Sequence, residues 1–265
     1  MNSPSIASSV REALLSRFLR YVAIDTESDP TSTTYPSTEK QLDLLRLLRD
    51  ELIEMGVPEV RLLEKGYVMA QIPATPGYED RPALGLIAHA DTSPDFTGRG
   101  VRPQIIEDYD GSPIALGDTA VLTAREFPEL MELLGHTLIT TDGSTLLGAD
   151  DKAGVAEIME TVRYILAHPE LPHGKICIGF TPDEEIGKGV DFFDVKAFGA
   201  DFAFTVDGSR EGELEYENFN AASARVVAHG RSIHPGSAKG KMINALEAIY
   251  LLHAALPHYA RPEFT

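Results

Sequence analysis

Four short apolar runs set the strongest constraint on how this 265-residue chain can fold. They cover residues 67–72, 84–89, 175–180 and 201–206. Apolar residues that recur every three to four positions predict helices over 10–24, 42–55 and 153–167. A strand that is apolar throughout is buried on both faces, and helices between such strands supply the cover. The sequence therefore predicts an α/β fold with helices packed on the faces of a sheet.

The second predicted helix carries signals at both of its ends. Thr38 and Gln41 have the spacing of a capping box, in which the two side chains satisfy backbone amides at the start of a helix. Gly56 and Pro58 follow the last apolar position and end the pattern. The helix is therefore expected to begin just after Thr38 and to be capped by it.

The character of the chain changes after about residue 217. A strand is predicted over 221–228, a turn at His234-Pro-Gly, and a helix over 242–256. One strand, one turn and one helix cannot bury their own apolar faces. This portion therefore either packs on the preceding domain or belongs to an incomplete protein.

The charge balance excludes several classes of function. The chain has 41 Asp and Glu against 23 Lys and Arg, a net charge of -18. A nucleic-acid binder needs a clustered basic surface, and an acidic protein is repelled by anionic lipids. We therefore expect neither nucleic acid nor a membrane as partner. The excess fits a solvated acidic surface or carboxylates gathered around metal ions, and composition does not choose between them.

Cysteine content and hydropathy bear on the compartment. The single cysteine, Cys177, lies in an apolar run, which excludes an intrachain disulfide and a Cys-x-x-Cys site and favours a core thiol. Arg and Glu residues interrupt the apolar stretch near the N-terminus, so no signal peptide is predicted. No run reaches the length of about 18 apolar residues of a membrane span. The expected location is the cytoplasm.

Acidic residues and one histidine follow the predicted strands. His89 and Asp91 end the second run, an Asp-Glu-Glu triplet at 183–185 follows the third, and Asp207 follows the fourth. Asp150 and Asp151 precede a predicted helix. Ligands in open α/β sheets bind at the carboxyl ends of the strands, so these groups are expected to meet at one edge.

Carboxylates gathered in this way repel each other unless cations lie among them. An imidazole with carboxylates and no thiolate suits Zn, Mn or Co, and a shared carboxylate would allow a two-metal hydrolase site. Each feature also has an ordinary explanation when taken singly. Asp150 and Asp151 could cap a helix, Glu184 and Glu185 could be a solvated loop, and Asp207 with Gly208 could be a turn.

The motifs around these residues resemble the dinuclear zinc aminopeptidases of the M20 group. The resemblance rests on residues 89–95, 147–154, 181–189 and 205–208. Residues 213–223 and 234–240 resemble, more narrowly, the members of the group that act on tripeptides. The resemblance implies a mixed sheet flanked by helices, as in zinc exopeptidases, with the start of a smaller α+β lid domain. It covers the chain from about residue 14 to its end.

The resemblance also implies a ligand set for two zinc ions. His89, Asp150 and Asp207 would hold one ion. Asp150 would bridge to the second ion, to which Glu185 would also contribute. A further histidine ligand and a basic residue for the substrate carboxylate are implied beyond position 265.

Three further residues acquire catalytic roles through the resemblance. Glu184 would be the general base that deprotonates the attacking water and then protonates the leaving amine. Asp91 would orient the ring of His89, and His234 would reach a neighbouring subunit's site and stabilise the oxyanion. The peptide bond joining Asp150 and Asp151 would be cis.

The expected organisation is a metallopeptidase catalytic domain over 1–217, in its N-terminal part, and an incomplete lid and dimerisation domain over 218–265. The expected activity is release of the N-terminal residue from tripeptides, with a short peptide as substrate and a homodimer formed through the lid. One alternative is an M20-type amidohydrolase or dipeptidase that acts on N-acyl amino acids or dipeptides. Another is an inactive fragment that only binds metal or self-associates.

Overall fold

The computed structural model describes residues 8–118, 120–208, 210–217 and 224–261. The chain divides into two compact units, Met1–Glu213 and Leu214–Thr265. This division falls just before the boundary predicted at residue 217. Each unit is described by itself below.

The first unit contains four helices and nine strands among its described residues. The helices are α1 (Ser8–Val22), α2 (Gln41–Glu54), α3 (Ala149–Ala167) and the short α4 (Val195–Phe198). The first five strands are β1 (Glu59–Leu62), β2 (Val68–Ile72), β3 (Leu84–His89), β4 (Pro103–Ile106) and β5 (Ile114–Leu116). The remaining strands are β6 (Ala120–Leu122), β7 (Leu138–Thr141), β8 (Ile176–Thr181) and β9 (Phe202–Thr205).

The central sheet has the strand order β1-β2-β8-β3-β9. Strand β3 pairs in parallel with β8 and β9, whereas β2 pairs antiparallel with β1 and β8. The register places His89 opposite Thr181 and Ile87 opposite Thr205. The residues that follow β3, β8 and β9 therefore leave the sheet at the same edge. The predicted mixed sheet with flanking helices is confirmed.

The core lies between this sheet and helices α1, α2 and α3. Helix α2 contributes four fully buried leucines, Leu44, Leu45, Leu48 and Leu52. They pack in one cluster with residues of α3 such as Ile158 and Met159 and with the inner strands of the sheet. Each buried leucine contributes roughly 1.5–3 kcal/mol relative to an exposed one, so this interface holds the sheet and its edge in place.

Strand β1 and strands β4 to β7 have no counterpart in the sequence prediction. Strands β4 and β7 form one two-stranded sheet, and β5 and β6 form another. Their residues are mostly exposed or half-buried, so they carry no apolar run that would mark them as strands. The four predicted strands, β2, β3, β8 and β9, all belong to the central sheet. The expected burial is wrong for β9, whose residues are all exposed at the outside of the sheet.

The predicted capping box of α2 is wrong. Helix α2 begins at Gln41 after Lys40, which makes no side-chain capping bond. The Thr38 hydroxyl instead donates to the carbonyl oxygen of Glu27 at 2.8 Å, and the Gln41 side chain is fully buried. Both side chains form contacts with other parts of the fold, so neither caps the backbone amides at the start of α2.

The second unit contains helix α5 (Ala245–Ala255), whose Asn244 side chain accepts from the amide of Leu246 at 3.1 Å. A 3-10 turn covers Pro235–Ser237, where a turn was predicted. The strand predicted over 221–228 is wrong for 224–228, which have no strand, and 221–223 lie outside the described residues. Arg231 and Ile243 form an isolated bridge.

No helix among the residues described here is both long enough and apolar enough to cross a membrane.

Gly154 tests the contact between α3 and the end of β9. A Cβ atom at this position would lie 1.8 Å from the carbonyl oxygen of Val206 and 2.4 Å from Oδ1 of Asp151. Alanine would gain up to about 1 kcal/mol of helix propensity, but backbone would have to move to admit it. We expect Gly154→Ala to lower the free energy of unfolding by about 1–3 kcal/mol, measured by urea denaturation.

The matched control is Gly208→Ala, since a Cβ atom at Gly208 meets nothing within 4 Å. Equal stability of the two variants would contradict the close approach of α3 to the residue that precedes Asp207.

Candidate metal centre

His89 is the last residue of β3, and its side chain is only 3% exposed. Its Nδ1 lies 3.0 Å from the carbonyl oxygen of Asp91 and 3.4 Å from Oδ1 of the same residue. Its Nε2 faces three carboxylates, at 2.9 Å from Asp150, 3.7 Å from Asp207 and 3.8 Å from Glu184. The ring is therefore held on one side by Asp91 and offers its other nitrogen to the acidic groups.

Asp91 connects the end of β3 to the loop that follows β8. Its side chain is fully buried, and its two oxygens accept from the amides of Glu184 at 2.9 Å and Glu185 at 3.2 Å. A buried carboxylate needs such donors to offset its lost hydration. Asp91 thereby fixes the backbone that carries both glutamates.

Asp150 and Asp151, at the start of α3, have opposite environments. The Asp150 side chain is 71% exposed, whereas Asp151 is 3% exposed. Asp151 accepts from the amide of His89 at 3.1 Å and from that of Gly154 at 3.2 Å. The peptide bond between the two residues is cis, as the resemblance implied. Asp151 therefore caps the start of α3 through the amide of Gly154, as one explanation from the sequence had it. Asp150 does not cap the helix in this way and faces His89.

Two groups of side chains could hold a metal ion among the described residues. One contains His89, Asp150 and Glu185, and the other contains His89, Asp151 and Asp207. Within each group the ligand atoms lie within 4.8 Å of one another. The sequence expectation combined Asp207 with Asp150, and Asp151 was not among the expected ligands. The pair of adjacent aspartates was the only sequence signal for Asp151.

His89 cannot serve both groups at once. Each imidazole nitrogen binds one metal ion, and Nδ1 of His89 is occupied by its hydrogen bond to the Asp91 carbonyl oxygen. A metal ion bound to Nε2 would have one imidazole ligand. A second ion would have only carboxylate ligands among the described residues.

The acidic surroundings of His89 change its protonation. Burial disfavours the imidazolium, but hydrogen bonds to Asp150 and Asp91 outweigh burial and raise the pKa of His89 to about 11. The hydrogen bond from His89 correspondingly lowers the pKa of Asp150. Without a metal ion, a proton on His89 supplies the positive charge that the carboxylates require.

Four other carboxyl groups of the site bind protons more tightly than usual, those of Asp151, Glu184, Glu185 and Asp207. Burial, with the negative charges of Asp207 and Asp150, raises the pKa of Asp151 to about 8. Burial and the charge of Asp150 raise the pKa of Glu185 to about 7. Burial also raises the pKa values of Glu184 and Asp207. The site is a set of mutually repelling carboxylates that gains from a bound cation.

The donor chemistry fits a divalent transition metal. One imidazole with several carboxylates and no thiolate suits zinc, manganese or cobalt. A cavity of about 290 Å³ opens beside these groups, and its walls are Ser93, Leu146, Gly148, Ala149, Asp150 and Glu185. A ligand in this cavity would touch the carboxylates directly.

His234 belongs to the second unit. Its side chain is exposed, and its Nδ1 accepts from the amide of Gly236 at 3.2 Å. Its expected role at a neighbouring subunit's site stays a prediction.

Comparison with known proteins identifies relatives of similar sequence. The chain is 56% identical to peptidase T of Clostridium acetobutylicum over 256 residues, which are 96% of this chain and 62% of that protein. It is 54% identical to peptidase T of Geobacillus thermodenitrificans over 97% of this chain and 62% of the relative. A sequence profile described as a peptidase dimerisation domain of the M20 type matches residues 216–265.

Solved structures share the fold. Aminopeptidase PepT of Bacillus cereus gives a TM-score of 0.57 at 22% identity, over 93% of this chain and 57% of that one. A tripeptidase of Staphylococcus aureus gives 0.52 at 25% identity, over 75% and 44%.

The last part of the chain therefore matches the dimerisation domain of M20 peptidases, and its motifs resemble the same class. Over nearly its whole length the chain is similar to peptidase T. The chain spans about three fifths of the length of the curated relatives it matches, 62% of each of the two named above.

Metal binding should depend on pH, because an entering ion must displace protons. His89, with its pKa raised to about 11, and Asp151, with its pKa raised to about 8, hold protons in the metal-free protein at neutral pH. Apparent zinc affinity should therefore rise with pH, by roughly tenfold per pH unit for each displaced proton. Calorimetric titration with zinc between about pH 6 and pH 8, in buffers of different ionisation enthalpy, measures both affinity and proton release.

The control is His89→Ala, which removes the shared nitrogen and should abolish the part of the proton release that comes from the imidazolium. An affinity that stays constant over this pH range would contradict the proposed competition between protons and metal.

Proposed function

We propose that this chain carries the metal centre of a metal-dependent aminopeptidase that releases the N-terminal residue from tripeptides. The observation that carries the proposal is His89 facing Asp150, Glu184 and Asp207 at one sheet edge, within 4 Å of its Nε2. This edge is the usual position of an α/β active site. The identity of more than half to peptidase T supports the choice of reaction.

We propose zinc as the metal, with His89, Asp150 and Asp207 at one ion and Asp150 and Glu185 at the other. When bound, the ions would polarise the scissile carbonyl and lower the pKa of the attacking water. The described residues group Asp151 with Asp207, so Asp151 is the competing candidate for the first position.

Glu184 is proposed as the general base. Its side chain is 55% exposed, and its nearest oxygen lies 3.8 Å from Nε2 of His89. Burial and the neighbouring Asp207 raise its pKa, which makes the carboxylate a better proton acceptor near neutral pH. Glu184 would take a proton from the attacking water and deliver it to the leaving amine. Asp91 would hold the ring of His89 and the backbone of Glu184 in place throughout.

We propose residues 1–217 as the N-terminal part of the catalytic domain and 218–265 as the beginning of a lid and dimerisation domain. The matched profile supports a homodimer formed through this segment, in which His234 would reach the partner's site. Helix α5 exposes large apolar side chains, among them Leu246 at 78% and Tyr250 at 66%, which suits a contact surface. A cytoplasmic location stays a prediction.

Replacing the two adjacent glutamates should separate proton transfer from metal binding. In a form extended to the full length of its relatives, Glu184→Gln should lower kcat by roughly 100- to 10,000-fold and leave two metal ions bound. Glu185→Gln should weaken one of the two ions, since it removes a ligand. Tripeptide hydrolysis and metal content, measured on the same samples, give the two readouts. A Glu184→Gln variant with near-normal kcat would remove Glu184 as the base.

A substrate comparison tests the reaction class. The extended form should hydrolyse tripeptides with free N-termini and leave N-acyl amino acids intact. Chromatography of the products measures both outcomes. Hydrolysis of N-acyl amino acids without hydrolysis of tripeptides would overturn the proposed aminopeptidase activity.

A further inference from the structure

Asp183 differs from the two glutamates that follow it. Glu184 is exposed and Glu185 half-buried beside the cavity, whereas the Asp183 side chain is completely buried. Its backbone has a φ of +58°, in the left-handed region that residues other than glycine rarely occupy. This turn of the backbone sends one acidic side chain inward and leaves the next two outside.

The carboxyl group of Asp183 is bound by Ser37, which precedes α2, and by Gln41, the first residue of α2. Oδ2 accepts from the amide of Ser37 at 2.6 Å, and Oδ1 accepts from Nε2 of Gln41 at 2.7 Å and from the Ser37 hydroxyl. In return, Oε1 of Gln41 accepts from the amide of Asp183 at 3.1 Å. Both Ser37 and Gln41 are buried. Both oxygens of Asp183 therefore accept hydrogen bonds from Ser37 or Gln41.

A second buried carboxyl group binds the same segment from the other side. Asp91 accepts from the amides of Glu184 and Glu185. Beyond them, the amide of Lys188 donates to the carbonyl oxygen of Asp183 at 2.9 Å, and that of Gly187 donates to the carbonyl oxygen of Glu184 at 2.7 Å. The backbone of residues 183–188 is thus fixed through one side chain from the end of β3 and through bonds to the start of α2.

We propose that Asp183, bound to Ser37 and Gln41, is a positioning residue that sets the direction of the Glu184 and Glu185 side chains. The inference rests on the proposed function for the roles of those glutamates. Small displacements of a base or ligand cost large factors in rate and affinity, because the reacting geometry must be held closely. An asparagine at 183 would turn an amide NH₂ toward the donors of Ser37 or Gln41 and break this arrangement.

The test is Asp183→Asn, with Glu160→Gln as the matched control. Glu160 is also a buried carboxylate, 3% exposed and bound by Arg163, but it lies outside the metal centre. In the metal-free 265-residue chain, hydrogen exchange at the amides of 184–188 should accelerate at least about tenfold in Asp183→Asn and stay unchanged in Glu160→Gln. In the extended form, kcat should fall by about 10- to 100-fold with KM nearly constant, and the zinc ion bound through Glu185 should weaken by a similar factor.

Two further variants distinguish loss of this contact from general misfolding of the protein. Ser37→Ala removes one donor and should produce a smaller change in the same direction. Asp183→Asn combined with Gln41→Glu restores a donor and acceptor pair across the contact and should recover exchange protection and kcat in part. Unchanged exchange at 184–188 and an unchanged second zinc ion in Asp183→Asn would overturn the proposal. Because exchange is read without turnover, failure of the peptidase reaction itself would be recognised separately.

Discussion

The parallel pairing of β3 with β8 is the contact on which the candidate centre depends. It places His89 opposite Thr181, so that Asp91 and the segment after β8 leave the sheet side by side. The carboxyl group of Asp91 then binds the amides of Glu184 and Glu185 and lies against the ring of His89. A single buried side chain thereby fixes a prospective ligand, a prospective base and a histidine, and its burial makes each of these hydrogen bonds costly to lose.

The centre is also limited by the chemistry of one imidazole ring. Two groups of potential ligands share His89, yet only Nε2 is available to a metal ion. Two ions at this sheet edge would therefore be unequal, one with a nitrogen ligand and one with oxygen ligands alone from the described residues. The resemblance to the M20 group implies a further histidine, which would remove this inequality.

Much of this arrangement was predictable from the sequence. Buried strands are visible as apolar runs, and the polar residues that end them identify the functional edge without knowledge of the pairing. Asp151 and Asp183 were expected at this edge of the sheet but were given no individual role, because nothing in the sequence shows which members of an acidic run turn inward. That direction is set by distant partners, the amide of His89 for Asp151 and the side chain of Gln41 for Asp183. The same partner explains the wrong capping prediction, since Gln41 is engaged with Asp183.

Strand β9 is an outer strand of the central sheet, with β3 as its hydrogen-bonded neighbour, and its two phenylalanines are 48% and 43% exposed at Phe202 and Phe204. An outer strand with aromatic side chains in solvent is a template onto which another copy can add a strand. The net charge of -18 opposes such association by repulsion between molecules. Salt screens that repulsion, with a Debye length of about 10 Å at an ionic strength of 0.1 M. Raising the ionic strength therefore weakens the repulsion that opposes pairing of two such edges.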